Sequence, residues 1–268
     1  MKPIRYDEKE IEGYVKGDYW EHTILPDYWE WNAKRWPDRD ALVDSRGIRL
    51  TWKEAVQKFN RIALAFVKEL KLNRDDRLMI QLPNVVEQVL VRLACEKAGV
   101  LSIPEMHTFR ESELEWIGSQ TQAVGIVIQK KFRKFEYYEM VKELQSKLPH
   151  LKYIIIAGDE VPEGCVSLKE IMEHPYEEEH ALSELEARKL DPIHEVGFLL
   201  TTTGTTGMPK IIEHRIAARE IWTAKTHTRN WELSPEDVVI ALAPIAWAAG
   251  GTPAYIAAPV AGAKIALD

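Results

Sequence analysis

Residues Thr202-Thr203-Gly204-Thr205-Thr206-Gly207-Met208-Pro209-Lys210 crowd four threonine hydroxyls, two glycines and one lysine into nine positions. An apolar run, Val196 to Leu200, leads into them. This composition suits a turn that wraps a polyanion. Glycines let the backbone take φ > 0 and come close to a ligand. Successive backbone N–H groups in such turns form a concave anion site. The hydroxyls add donors, and Lys210 brings a mobile positive charge to phosphate oxygens. A solvated hairpin turn would account for the glycine pair but not for four threonines and a Pro-Lys ending.

The stretch is not a Walker A loop, which needs Gly-x-x-x-x-Gly-Lys-Ser/Thr opening a helix. Here Lys210 follows Pro209 and precedes Ile211-Ile212, a combination that favours an extended exit. The expected order is strand, loop, strand, with a helix only from about 215 to 229. No Gly-x-Gly-x-x-Gly occurs, so a dinucleotide fingerprint is absent. No His/Cys group has zinc spacing. His214 and His107 are read as surface residues, and Cys95 as a small core hydrophobe.

Elements must hold that loop. After the first forty residues, strand and helix signals alternate. Runs at 41–45 and 48–51 flank Arg46-Gly47, a hairpin signal. Thr51 and Glu54 have capping-box spacing ahead of a helix with Val56, Phe59, Ile62, Ala63 and Phe66 on one face. A strand at 77–82 follows. Asn84 is placed to cap the next helix, whose apolar face is Val86, Val89, Leu90 and Leu93, and Gly99 suits its end. Strands at 100–103, 123–128 and 153–157 interleave with helices at 112–120 and 136–148. Between 173 and 195 the pattern breaks around Glu177-Glu178-Glu179, read as a solvated, partly helical connection to a second sheet. That sheet is expected to open at Val196 and to take strands near 238–242 and 264–267. The alternation predicts an α/β fold with two mainly parallel sheets covered by helices on both faces. Three parts are expected: an N-terminal helical extension (1–40), a first α/β subdomain (41–190), and the start of a second carrying the loop (191–268).

Bulk properties narrow the function classes. At 46% hydrophobic residues the chain can build a sizeable core. A net charge of −7 argues against nucleic acid or an anionic membrane as partner, so positive charge for a polyphosphate must be local. Two cysteines make no disulfide framework, and the first twelve residues lack a signal-peptide core. No run approaches the ~18 apolar residues of a membrane span. A cytoplasmic location is the expectation. The aromatic-rich N-terminus (Tyr19, Trp20, Tyr28, Trp29, Trp31, Trp36) is expected to pack against the domain rather than stack on bases.

The nine-residue stretch resembles the phosphate-binding signature of the adenylate-forming superfamily, Ser/Thr-Ser/Thr-Gly-Thr-Thr-Gly-x-Pro-Lys, shared by acyl-CoA synthetases, aryl-acid ligases and luciferases. Other segments agree in order and spacing. Leu50-Thr51-Trp52-Lys53-Glu54 resembles the family's LTYxEL, Leu82-Pro83-Asn84-Val85-Val86-Glu87 its LPNxxE, and Lys97-Ala98-Gly99 through Pro104 its KAGAxxxP. The likeness runs from about 27 to 268.

The resemblance implies attack of a carboxylate on the α-phosphate of ATP, release of pyrophosphate, and passage of the acyl group to a thiol, commonly that of CoA. It implies phosphate contacts from Thr202, Thr203, Gly204, Thr205, Thr206 and Gly207, a catalytic lysine at Lys210, and Mg²⁺ sharing the phosphate charge. It aligns Trp247, Ala248, Gly250 and Gly251 with the acyl pocket. Two departures stand out. Ile211 replaces a usual Gly, and Trp247-Ala248 replaces the His-Asn of dihydroxybenzoate ligases. The second removes a polar partner for a ring hydroxyl, whose unpaired burial costs roughly 1–3 kcal/mol, so a less polar acid fits better. The resemblance also implies a further C-terminal region with the adenine, ribose and metal contacts, and little ligase turnover from these 268 residues alone. Alternatives are an aryl-acid ligase loading a carrier protein, and a noncatalytic nucleotide-binding module.

Overall fold

The computed structural model of the chain describes residues 7–202 and 207–268. Thr203, Gly204, Thr205 and Thr206 of the predicted loop lie outside the described residues.

After helices α1 (Glu8–Lys16) and α2 (Leu25–Arg35), the hairpin β1 (Asp40–Asp44) and β2 (Arg49–Thr51) leads into α3 (Trp52–Lys68). Then β3 (Arg77–Gln81), α4 (Val86–Ala98), β4 (Leu101–Pro104), α5 (Glu111–Thr121) and β5 (Gly125–Ile128) alternate. A small hairpin, β6 (Lys131–Phe132) and β7 (Phe135–Glu136), precedes α6 (Tyr137–Lys147), β8 (Tyr153–Ile156) and β9 (Val166–Ser167). Short helices α7 (Leu168–Glu173), α8 (Tyr176–Glu179) and α9 (Ser183–Glu186) cross the acidic stretch. The hairpin β10 (Phe198–Thr201) and β11 (Ile211–His214) follows, then a π-helical turn (Ala217–Trp222) running into α10 (Thr223–Asn230). The chain closes with β12 (Val238–Ala241), α11 (Ala248–Gly250), a second π-helical turn (Gly251–Ala257), α12 (Ala258–Ala261) and β13 (Lys264–Leu267).

The fold is α/β with two mainly parallel sheets, of orders β11-β10-β4-β3-β5-β8-β9 and β12-β13-β1-β2. Only β10–β11 in the first and β1–β2 in the second run antiparallel. The sheet memberships correct one expectation. Val196 does not open a second sheet: β10 joins the first, parallel to β4 at Phe198↔Ser102. The second sheet instead forms from the β1–β2 hairpin with β13 alongside β1 (Leu42↔Ile265).

Alternate side chains of β3, β5 and β8 enter different cores. Leu78, Ile80, Val127 and Ile155 pack with α3 and α4, whereas Met79, Ile126, Ile154 and Ile156 pack with α5 and α6. The α3–α4 core also takes Leu42, Ile265 and Leu267 of the second sheet, so this helix pair lies between the sheets. Every residue of α4 is buried as a result, including Glu87, Gln88, Arg92, Glu96 and Lys97. The amphipathic reading of α4 is corrected here. Its polar residues face protein, and each buried charge needs a partner. Lys97 Nζ finds Glu30 and Glu186 at 2.9 and 2.8 Å.

The local signals stand where the chemistry is local. Thr51 and Glu54 make the capping box of α3. Gly99 ends α4 at φ 71, the left-handed conformation glycine tolerates. Asn84 caps nothing. Val85 occupies the N-cap of α4, and the Asn84 amide reaches across to the 241–245 segment. Glu177 is not merely solvated, since it clasps the Arg61 guanidinium of α3 at 2.6 Å. In the aromatic N-terminus, Trp20 and Trp29 are buried, and Trp29 meets Trp52 edge to face at 4.8 Å.

Candidate functional site

The predicted strand–loop–strand unit is present. β10 and β11 pair antiparallel with Thr201 opposite Ile211, so the threonine-glycine loop spans the end of a hairpin. Its base is tied twice: Thr202 N donates to Lys210 O at 3.0 Å, and Lys210 N donates to Thr202 Oγ1 at 3.2 Å. The Lys210 side chain is exposed and makes no ion pair among the described residues. Gly207 is exposed, and among the described residues a Cβ there would meet nothing within 4 Å.

Two residues missed in the sequence brace this unit. The Trp116 indole of α5 donates to the Pro209 carbonyl at 3.0 Å, fixing the loop's exit. Beneath the entrance, Thr201 Oγ1 donates to Glu105 Oε2 at 2.9 Å. Glu105 is fully buried, and its Oε1 has no hydrogen-bond partner. Burial pushes its carboxyl up to about 8, with the Thr201 hydroxyl pulling the other way. A glutamate directly after an apolar strand ending in Pro104 was the available signal.

His214 is not a surface residue. It stacks on Phe198 at 5.3 Å, and burial, then Arg219, push its imidazole down to about 4. It is neutral near pH 7 and brings no positive charge to a phosphate. His107 is half-buried, edge-on to Phe132 at 5.7 Å, and lowered by burial and then by Arg133 and Arg110.

The segment from Ala243 to Gly251 builds the second part of the site. Gly250 and Gly251 are required by close backbone approach, because a Cβ would lie 2.2 Å from Ala243 O at the first and 2.7 Å from Ile245 O at the second. Asn84 holds the same segment: its amide donates to Ala241 O and Ala243 O at 3.0 Å each and accepts from Ile245 N at 2.9 Å. Trp247 thereby lines a cavity of about 20 Å³ with Arg92, Phe198, Arg219, Glu220 and Tyr255. That volume holds about one water. Its Nε1 is buried without a partner, and its ring lies 6.2 Å from Phe109. Ala248 is exposed at the rim.

The sequence reading missed the charges behind Trp247. Arg92 pairs with Glu220 at 3.5 Å, lies over the Tyr255 ring at 3.5 Å, and donates to Ile245 O at 3.1 Å. Tyr255 Oη donates to Glu96 Oε1 at 3.1 Å. Burial, then the neighbouring Glu220, push the Glu96 carboxyl well up, and burial raises Glu220 too, with Arg92 pulling it back down. The i, i+4 spacing of Arg92 and Glu96 on α4 was the one hint. The two carboxyls meet only in the tertiary structure.

Among the described residues no group of three His, Cys, Asp or Glu side chains is placed to hold a metal ion. No described helix is long and apolar enough to cross a membrane.

Comparisons with known proteins agree with this fold. The chain is 26% identical over 268 residues to a medium-chain fatty-acid–CoA ligase of Escherichia coli (strain K12), covering 98% of this chain and 45% of that protein. It is 30% identical over 232 residues to a salicyl-AMP ligase / salicyl-S-ArCP synthetase of Mycobacterium tuberculosis, covering 85% and 39%. The chain thus spans less than half the length of these curated relatives. The fold matches apo MbtA of Mycobacterium smegmatis at TM-score 0.83 and 24% identity, over 99% of this chain and 47% of that one. It also matches the anthranilate CoA ligase AuaEII bound to anthranoyl-AMP, at TM-score 0.78 and 19% identity, over 92% and 45%. Residues 29–267, nearly the whole chain, match the AMP-binding enzyme family, and the chain belongs to that family.

Proposed function

We propose that this chain takes part in ATP-dependent activation of a carboxylic acid to an acyl-adenylate, followed by transfer to a thiol, commonly that of CoA. The observation that carries the reading is the Lys210 ammonium, exposed and free of any described carboxylate, at the end of a loop closed by the Thr202–Lys210 pair. A phosphate chain needs such a donor. Thr202, Thr203, Gly204, Thr205, Thr206 and Gly207 are proposed as the phosphate cradle, with Lys210 neutralising charge as it moves from the α-phosphate to pyrophosphate. Trp247, Ala248, Gly250 and Gly251 are proposed as one wall of the acid pocket, which Asn84 keeps in place.

Mg²⁺ would be held here chiefly by the phosphates and water, since the one or two carboxylates that commonly join them are not among these residues. When bound it would neutralise phosphate charge; the residues here contribute hydroxyls, amides and one ammonium. The free thiols of Cys95 and Cys165 support a reducing, cytoplasmic setting.

An aryl-acid ligase that loads a carrier protein is the second reading. A salicyl-AMP ligase is among the similar proteins, and Phe109 and Trp247 supply flat apolar surface beside the pocket. The partnerless Trp247 Nε1–H would suit an acid with one acceptor at that point.

Calorimetric titration of Mg·ATP into the chain tests the reading. A charge-assisted contact is worth about 1.5–3 kcal/mol, so Lys210→Ala is expected to weaken binding by about ten- to a hundredfold. Equal affinity in wild type and K210A overturns it. A noncatalytic module would bind nucleotide in the same way yet show no acid-dependent ATP–pyrophosphate exchange in any longer form of the protein.

A further inference from the structure

The arm that carries Lys210 is held unevenly along its length. β10 lies inside the first sheet, between β4 and β11. β11 is the sheet's edge, with β10 as its one strand neighbour. An edge arm with few buried contacts opens more readily than the sheet behind it. Between exposed Met208 and exposed Lys210, Pro209 is buried. Its carbonyl accepts from the Trp116 indole N–H at 3.0 Å. Among the described residues this is the one side-chain hydrogen bond that reaches residues 207–211 from another element.

Trp116 stands on a firm support. Leu114 and Ile117 of α5 are buried in the core that also takes Met79 and Ile126 of the sheet. The start of α5 is closed by Glu113 Oε2, which accepts the Arg110 N–H at 3.0 Å, and Lys147 of α6 reaches Glu111 and Glu115. A donor on this packed helix fixes the Pro209 carbonyl relative to the sheet. The next peptide is fixed with it: Lys210 N donates to Thr202 Oγ1 at 3.2 Å, and Lys210 O accepts from Thr202 N at 3.0 Å. On an extended arm successive side chains point to opposite faces. Pro209 is buried and Ile211 packs on the α5 core, while Lys210 and Ile212 are exposed.

We propose that Trp116 is a positioning residue for Lys210: its indole N–H, by holding the Pro209 carbonyl, sets where the ammonium stands toward a bound polyphosphate. This rests on the nucleotide reading above and adds to it a residue from outside the loop. Trp116 acts through Lys210 and not on the phosphates. With the tether gone the lysine samples more positions, and the phosphates must order it as they bind.

The experiment is calorimetric titration of Mg·ATP into the wild-type chain, Trp116→Phe, Lys210→Ala and the double variant. Losing one neutral hydrogen bond is expected to weaken binding by W116F about two- to tenfold. In the K210A background the same change is expected to alter affinity by less than about twofold, because the group it positions is gone. Trp116→Gln keeps a neutral N–H the same number of bonds from Cβ and is expected to bind more tightly than W116F. Trp116→Tyr, which lacks that N–H, takes the place of W116F if the latter does not fold. A merely structural role would weaken binding by the same factor with and without Lys210. That result, W116F binding as tightly as wild type, or W116Q binding no more tightly than W116F overturns the inference and leaves the nucleotide reading standing. Absence of Mg·ATP binding by the wild-type chain overturns both.

Discussion

Asn84 is the sharpest structural test of the site. Its side chain makes three hydrogen bonds to backbone more than 150 residues away in sequence: it donates to Ala241 O and Ala243 O and accepts from Ile245 N. Replacing it by alanine removes all three at once. At about 1 kcal/mol net per bond the loss is about 3 kcal/mol, and more if a carbonyl is left dry. Ala241 is itself buried, which favours the larger figure. Urea unfolding followed by tryptophan fluorescence gives the global value. Amide exchange at Ile245 gives the local one: about 3 kcal/mol of lost protection is roughly a hundredfold faster exchange. Asn84→Asp keeps the acceptor for Ile245 but sets a carboxylate against two carbonyls, so it is expected to be at least as damaging. A loss under about 0.5 kcal/mol for N84A, with Ile245 exchange unchanged, would refute the view that this amide holds the Trp247 segment.

Other outcomes follow from single contacts. Gly250→Ala places a methyl 2.2 Å from Ala243 O and 2.7 Å from Pro244 O, and thermal unfolding is expected to show a loss of more than about 2 kcal/mol. Glu177 is held down to about 2 by the Arg61 guanidinium, well below its unfolded value. Its contribution is therefore present above about pH 4.5 and lost as pH falls toward 2. Glu177→Gln should cost about 1–2 kcal/mol at pH 7 and nothing near pH 2, read by denaturation at both. Glu105 has the opposite sign. Its folded value of about 8 lies above the unfolded value near 4.5, so the folded state binds the proton more tightly. Stability falls as pH rises from about 4.5 to 8, by at most about 5 kcal/mol, and E105Q is expected to flatten that part of the curve.

How much was legible follows from the range of each interaction. The strand–loop–strand unit around 201–211 was readable because its residues are contiguous and Pro209 with Ile211-Ile212 favours an extended exit. The α3 capping box and the Gly99 helix end were readable because each is settled within four residues. The α/β class followed from alternating local periods. Sheet order was not legible. Which strand neighbours β1 depends on burying Leu42 against Ile265 and Leu267, partners more than two hundred residues away, and no local pattern encodes that choice.

The same limit explains the polar residues behind Trp247. By itself the sequence determined the loop, its lysine, the apolar strand that leads in and the glycines at 250 and 251. Only the tertiary structure decided that α4 lies between two sheets. Once it does, Arg92 and Glu96 cannot face water, and they are driven onto Glu220 and Tyr255 from the far end of the chain. Glu105 became a buried acid beneath Thr201 in the same way, when β10 was laid beside β4. A side chain's type is written locally, but its solvent, and with it its charge, is set by which distant surfaces close over it.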